Sequence, residues 1–524
     1  MQIIYLGHAG FCVETDSSII IMDPWFSKQG AFDSAWFQYP KNHHMGDDVQ
    51  AILTRSKKNK YIYISHEHQD HFDIKFLQTL ISRNFTILLA NYSCQIVKNK
   101  LNEVNYHCND IILLNDNEKY TLKDAEIRLL IMDTELNCDS AILVKDESHS
   151  FLNINDCKIY DRLENIKNTH GNIDIFTAQF SGASWYPTCY RMSDNVYREV
   201  CQKKIASKFE TTAVAIKTIK PRLYLPSAGP PCFLDPMLLS IHFQDINSYP
   251  QTPQFLAYLD QHCKSIKSST KWTEIWPGDI LDVASLKFIH KSSTRMNAID
   301  FKSYVNSYSD EYKNLFSGRE NDQKKIDPGD IFVQLKSELL EKLSKLQLVN
   351  HTITTLLYWR ISECPEKMYC IDLVNKTIKI TSHIKELNNY YRITAPAWLV
   401  NKVLTREISW SDLALTFRVT IERVPDVYNT VIHGFLILDT NKIQSFCEKM
   451  QKTNINNERI IMMYQGKQYS ILRYCPHQGA DLSQGHLEGA LLVCPRHQWK
   501  FDIKNNGKCI YNETCIDAIC VDNH

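Results

Sequence analysis

The segment YIYISHEHQDHFD at 61–73 constrains this chain more than any other. An apolar strand pattern runs directly into His66, His68, Asp70 and His71, and a helical pattern starts straight after them. Residues two apart in an extended segment point their side chains the same way, so His66 and His68 can converge on one ion. Asp70 and His71, on the following turn, can reach a second ion about 3.5–4 Å away. The spacing therefore predicts a binuclear metal centre at a strand end, with Asp70 as a catalytic candidate as well as a ligand.

The chain around this centre is 524 residues long, which is three or four domains' worth, since one core rarely grows beyond about 250–300 residues. At 44% hydrophobic and 23% charged it is neither disordered nor fibrous. Lys+Arg and Asp+Glu both number 59, so the global positive field of a nucleic-acid binder is missing and no nucleic-acid partner is expected. The apolar runs are strand-sized, far short of the ~20 residues a membrane span needs. The N-terminal MQIIYLGHAG enters a strand pattern with no signal-peptide features, so a cytoplasmic location is expected. The 17 cysteines read as free thiols plus a few metal ligands.

Over residues 1–295 short β-rich runs (QIIYL, FCVET, SIIIMD, YIYIS, TILLAN, EIRLLIM, SAILVK, SFLNIN, DIFTAQF, RLYLP) alternate with helical patterns, among them 73–82 and 194–219, which predicts an α/β layered domain. From 296 to 450 the pattern is helical and then α+β. The helix in IDPGDIFVQLKSELLEKLSKLQ starts at Pro-Gly and carries Val333, Leu335, Leu339, Leu340, Leu343 and Leu346 as its apolar stripe. A polar stretch, QKTNINNE, then leads into a β-rich segment assigned to 451–524.

The metal motif, together with LGHAGF and with Asp23 in IIMDPW, resembles the metallo-β-lactamase superfamily over roughly residues 1–290. That resemblance implies a four-layer αββα sandwich with zinc, iron or manganese at one edge of its two sheets, and a bridging carboxylate for which Asp156 in SFLNINDC is the candidate. The usual histidine on the preceding strand is missing; Glu135 stands in its place as ligand and catalytic residue, with Asp139 as competitor. A carboxylate there hardens the site toward iron or manganese, as in the diiron β-hydroxylases it resembles in this respect. Asp235 and His242 are the candidates for the last ligand. Trp185, Tyr186 and Tyr190 in SGASWYPTCY either line a substrate pocket or fill core, and Arg222 either meets an anionic substrate or caps a strand.

Near the C-terminus Cys475-Pro-His477 is followed by Cys494-Pro-Arg-His497. Two thiols and two imidazoles in this order suit either a structural zinc or a [2Fe–2S] cluster. The flanks CPHQGADL and CPRHQWKFD resemble the Rieske family, in which Cys475 and Cys494 would hold one iron and His477 and His497 the other. Ala480 and Arg496 stand where respiratory Rieske proteins carry a disulfide clamp, so the oxygenase or ferredoxin type is implied.

A hydrolytic zinc site has no use for an electron carrier. The pairing implies O2 activation at non-haem iron, two irons being expected and zinc the alternative. IIMDPW, AWFQYP, YISHEHQDH, SGASWYP and KPRLYLPSAG also resemble the CMP-N-acetylneuraminate hydroxylase family, which implies hydroxylation of an N-acyl or C–H group. Electrons would come from ferredoxin, cytochrome b5 or a flavin reductase drawing on NAD(P)H. The vertebrate members carry their Rieske segment at the N-terminus, whereas here it is C-terminal. A binuclear hydrolase with a redox-sensing or structural Rieske domain is the competing reading, and a flavodiiron-like electron carrier a third. The stretch YYRITAPAWLVNKVLTREISWSDL loosely resembles sterol-carrier-like modules, although a docking scaffold serves equally. A homo-oligomer is expected if the Rieske domain sits far from its own iron site.

Overall fold

The computed structural model describes residues 1–134, 136–292, 301–347, 353–385, 387–453, 458–477, 479–496 and 498–521. Glu135 and His497, two of the expected ligands, lie outside the described residues.

Two mixed sheets face each other. The first runs in the order Lys287–His290, Ile280–Asp282, Gln2–Gly7, Gly10–Glu14, Ser18–Met22, Asn59–Ile64, Thr86–Ala90, Asp110–Leu114. The second runs Lys271–Trp272, Leu223–Ser227, Ile175–Gln179, Ser150–Asn153, Cys138–Asp146, Ala125–Asp133, Tyr120–Thr121. Alternate residues of their strands fill the space between them: Ile20, Tyr63 and Leu88 from one sheet, Leu129, Ile142 and Phe151 from the other, all fully buried. Each such side chain contributes roughly 1.5–3 kcal/mol through burial. Helices Met45–Arg55, Ile74–Thr79 and Ile96–Glu103 cover the outer face of the first sheet; Leu163–His170, Asp194–Ile219 and Thr252–His262 cover that of the second. The expected αββα sandwich is present.

Strand direction fixes where chemistry can happen. Ser18–Met22 and Asn59–Ile64 run parallel, with Met22 opposite Tyr63, so Asp23 and Ser65 leave the sheet side by side. In the facing sheet Asn153 pairs with Thr177, and Gln179 with Ser227, which brings the segments after these strands to the same edge. Cys138–Asp146 runs antiparallel to its neighbour and contributes its beginning there.

The middle region comprises helices Phe301–Asp310, Lys313–Gln323 and Pro328–Lys345 and a five-stranded sheet ordered Thr377–Thr381, Met368–Asp372, Leu356–Ile361, Tyr390–Ala395, Thr420–Val424. Asp327 caps the long helix by accepting from the amides of Gly329 and Asp330, with Pro328 in the first turn. This helix buries Ile331, Phe332, Leu335, Leu339 and Leu343. Val333 and Leu340, expected on that stripe, are on its outer face, because the i, i+4 row through 331, 335, 339 and 343 excludes them. The region shares one continuous core with the sandwich loops: Trp25, Phe32, Trp36, Trp185 and Phe233 pack with Trp359, Ile393, Leu399 and Phe417.

The C-terminal region has two small antiparallel sheets, Arg459–Tyr464, Lys467–Leu472, Ile519–Val521 and His486–Glu488, Leu491–Val493, Lys500–Asp502, Lys508–Cys509. No described helix is long and apolar enough to cross a membrane.

Asp235 is fully buried, accepting from Arg418 Nε at 2.7 Å and Arg319 at 2.6 Å, and so ties the sandwich to the middle region. Burial opposes its charge, but the two guanidiniums hold the carboxyl below its usual range. Truncating one partner of a buried pair leaves the other charge uncompensated, so Asp235→Ala should destabilise the protein by about 3–5 kcal/mol. Denaturant unfolding of the variant beside the parent tests this, and a loss under about 1 kcal/mol would contradict the assignment.

Candidate metal centre

Four loops meet at the sandwich edge. The hairpin turn after Gln2–Gly7 brings His8, whose Nε2 lies 3.0 Å from Asp70 Oδ2. Gly7 enters that turn at φ +105°, where a side chain would be strained. The turn after Asn59–Ile64 brings His66, His68, Asp70 and His71. His66 Nε2 and His68 Nδ1 approach to 2.8 Å, the convergence expected of two imidazoles aimed at one ion. The loop after Ser150–Asn153 brings Asp156, whose Oδ1 lies 3.4 Å from His71 Nε2. Asp139, at the start of its strand, lies 3.2 Å from the other ring nitrogen of His66.

Two ligand triads result, His66–His71–Asp156 and His8–Asp70–His71, with His71 common to both. His71 Nδ1 is 2.8 Å from Asp23 Oδ2, and the same carboxylate accepts from the Ser65 amide at 2.8 Å and hydroxyl at 2.7 Å. Asp23 thus sets the His71 tautomer, leaving Nε2 as the lone-pair face toward Asp70 and Asp156. His71 Nε2, Asp70 Oδ1 and Asp156 Oδ1 are buried without hydrogen-bond partners. Unpartnered acceptors converging in a buried site are what a bound cation would satisfy, and imidazoles mixed with carboxylates suit iron, zinc or manganese.

The electrostatics agree. Burial disfavours the imidazolium form, yet Asp139 and Asp156 raise the pKa of His66, and Asp156, Asp70 and Asp23 raise that of His71 to about 9. Burial likewise opposes the Asp70 and Asp156 charges, but His71 with His8 holds Asp70 well below the usual carboxylate range, and His71 with His66 lowers Asp156. Burial raises Asp139 to about 6. The anionic surroundings favour positive charge at the centre.

Two expectations need correcting. Asp235 is engaged by Arg418 and Arg319 rather than by this cluster. His242 Nε2 accepts the Phe233 amide at 2.7 Å, its ring lies against Phe233 and Phe301, and burial lowers its pKa to about 4. Both are structural. The loop after Leu223–Ser227 brings only Ala228, Gly229 and Pro231 to the site, and His8 joins a candidate ligand triad instead. The sequence signal for His8 was LGHAGF, a histidine in a strand-to-strand turn, which spacing alone cannot connect to residues some sixty positions away. Arg222 pairs with Asp174 at 3.0 Å and reaches the carbonyls of Val283 and Ala284, a strand-capping role.

A cavity of about 640 Å³ opens over the centre, walled by His66, His68, Asp70, Asp139 and Asp156 on one side and by Ala414, His433, Leu438 and Phe446 of the middle region on the other. That region therefore completes the site.

In the C-terminal region Cys475 and Cys494 each begin a tight loop. Gly479 and Gln498 return their amides to the carbonyls of Cys475 and Cys494, at 2.8 and 3.0 Å, and both adopt positive φ. The thiols are buried side by side, and burial with the neighbouring Cys494 pushes the Cys475 thiol up, so thiolates would be tolerated here on a metal rather than free. His477 stacks on Trp499 at 4.2 Å and 7°, and Tyr428 of the middle region stands edge-on to it at 4.9 Å. The Thr430 hydroxyl donates to the carbonyls of Pro476 and His477. This donor set fits a cluster held by two thiolates and imidazole.

Residues 2–137 match the beta-lactamase superfamily domain, and residues 436–519 match the Rieske [2Fe-2S] domain. The chain therefore joins a metallo-β-lactamase-fold domain to a Rieske domain, with the [2Fe–2S] cluster that the latter implies. It is 25% identical over 527 residues to a Rieske 2Fe-2S iron-sulfur protein of Mycolicibacterium smegmatis, covering 97% of this chain and 98% of that one. It is also similar to the cytidine monophosphate-N-acetylneuraminic acid hydroxylase of Danio rerio, 23% identical over 287 residues, 53% of this chain and 46% of that one. Among solved structures, CmlA, a diiron beta-hydroxylase from Streptomyces venezuelae, overlays 52% of each chain at 15% identity and a TM-score of 0.34. The Rieske domain indicates a chain that handles electrons.

Loss of a carboxylate that orients a ligating imidazole typically costs 10–100-fold in metal affinity. Asp23→Asn should therefore weaken metal retention by about that factor. Chelator competition followed by metal analysis measures it; unchanged retention would remove Asp23 from the site.

Proposed function

We propose that this protein is a Rieske-coupled non-haem iron monooxygenase, with two irons at the sandwich edge. The observation that carries the reading is a shared wall. A second cavity, of about 330 Å³, is lined by the cluster-side residues His477, Trp499 and Tyr428, and it has Lys158, Gln179, Ala183, Ser184, Trp185 and His433 in common with the cavity over the metal centre. Centres at these two places would adjoin within one chain, which supports transfer inside a single subunit. From His477 the ring contacts run to Tyr428 (4.9 Å), on to His433 (5.2 Å) and on to Trp185 (5.3 Å).

Iron in the centre would supply dioxygen activation, one oxygen atom entering a substrate C–H bond and the other leaving as water, with two electrons delivered singly by an external reductant. The protein's own residues prepare for that. His66, His68, His71, His8, Asp70 and Asp156 would present the ligand atoms, and Glu135 or Asp139 would harden the set. Asp23 and Asp139 orient imidazoles. Trp36 and Phe446 line the cavity over the centre as apolar walls.

The substrate class we assign is a small polar molecule hydroxylated at an N-acyl or C–H group, a nucleotide sugar such as CMP-N-acetylneuraminate being the first to test, as the similarity to the hydroxylases suggests. Ferredoxin, cytochrome b5 or a flavin reductase fed by NAD(P)H would be the donor.

The test is iron, zinc and acid-labile sulfide per chain on protein expressed with adequate iron, with EPR after dithionite reduction. About four irons and two sulfides with a Rieske signal are expected. Two irons with two zincs, and no gain of activity on replacing zinc by iron, would overturn the reading in favour of a binuclear hydrolase.

A further inference from the structure

The chamber between the two centres has an unusual charge. Lys158, Lys204, Lys208 and Arg423 line it, and among the described residues no aspartate or glutamate does. Arg423 is compensated by Asp426, whose carboxylate accepts its Nε at 2.8 Å. Lys204 and Lys208 are not. Lys204 donates to Ser184 Oγ at 2.9 Å and to the Tyr186 carbonyl at 2.6 Å; Lys208 donates to the carbonyls of Gly182 and Ser248. All four acceptors are neutral, and an ammonium has a third proton to place. Lys158, an exposed residue that lines both cavities, feels the opposite charges of Asp156 and Asp139 at the metal centre.

Half-buried ammonium groups that bond only neutral acceptors, as those of Lys204 and Lys208 do, are costly, and an arrangement of this kind persists where a ligand supplies the opposite charge. Burial lowers the pKa of Lys204, to about 8, and of Lys208, and the next cause in each case is another lysine. The rest of the wall is flat and aromatic, with Trp185, Tyr186, Tyr428 and Trp499 lining the same space. The volume, about 330 Å³, suits a small organic ligand or one portion of a larger one.

We propose that this chamber is an organic-anion site, in which Lys158, Lys204 and Lys208 hold a phosphate or carboxylate group and the aromatic wall holds an attached ring, with the remainder of the ligand passing by Trp185 and His433 to the metal cavity. The chamber then anchors the substrate by its anionic end, and its reacting end lies over the centre. Only the identification of this ligand with the substrate rests on the oxygenase reading; the binding itself does not.

Isothermal titration of the metal- and cluster-loaded protein with inorganic phosphate, phenyl phosphate, benzoate and benzyl alcohol tests it without turnover. Phenyl phosphate or benzoate should bind at least about tenfold more tightly than benzyl alcohol, since a charge-assisted hydrogen bond contributes about 1.5–3 kcal/mol. Which of the two binds better decides between phosphate and carboxylate, and inorganic phosphate reports the contribution of the ring. Lys204→Met and Lys208→Met should each weaken binding about tenfold or more, with the reduced-cluster EPR signal as the check on folding, whereas Arg222→Met should not. No saturable anion binding by the parent protein overturns the proposal whether or not the variants fold. Binding that survives the Lys204→Met/Lys208→Met pair overturns it too, assigning the anion to the metals. Iron replaced by zinc at the centre would defeat the oxygenase reading and leave this result intact.

Discussion

Asp23 is buried with no lysine or arginine among the described residues paired to it, and its charge is accommodated by the amide and hydroxyl of Ser65 and by His71. This set of contacts exists only because Ser18–Met22 and Asn59–Ile64 are parallel neighbours in register, so that their ends emerge together. It does two things at once. It ties the first metal loop to the adjacent strand end, and it fixes which nitrogen of His71 faces the centre. Since His71 belongs to both triads, the geometry of the whole centre depends on one carboxylate that belongs to neither.

How much of this was legible in the sequence follows from the range of each signal. The strand runs and the helix at 194–219 show local periodicity, and the structure forms them at those places. The cluster His66, His68, Asp70, His71 was visible because its members are sequence neighbours, and Asp156 because it ends a strand. His8 was not, since its role depends on the first hairpin lying beside the metal loop, a long-range packing fact. Asp235 and His242 misled for the complementary reason: a carboxylate and an imidazole at a loop look the same in sequence whether they face a metal or, as here, two guanidiniums and a backbone amide. The stripe error at Val333 and Leu340 is of the same kind, an apolar residue whose side of the helix is decided by the partner it packs on.

The middle region was the least readable part, carrying no chemical motif, yet the structure gives it a definite place. It shares a core with the sandwich loops, supplies a wall of the metal cavity through Ala414, Leu438 and Phe446, and presents Tyr428 and Thr430 to the cluster loop. The C-terminal region is clamped to both: Tyr186 of the sandwich donates to Asp426 and to the Tyr511 carbonyl, and Lys500 pairs with Glu210. A residue set with no motif can thus be indispensable to a site when its contribution is placement.

That clamping bears on function. A redox sensor coupled to a hydrolase would need only a mechanical link, and any face of the Rieske domain would serve. Here the face that docks is the one carrying His477, and it docks onto the chamber that adjoins the metal cavity. Electron transfer falls steeply with distance, whereas mechanical coupling does not require close approach of the two centres. Orientation of the imidazole side inward, behind Tyr428 and His433, is therefore an arrangement that a carrier needs and a stabilising domain does not. The lysines in the intervening chamber add a second constraint of the same sense, because an anionic ligand held there would lie between donor and acceptor, so that its arrival and the passage of electrons involve the same few residues: Lys158, Trp185 and His433.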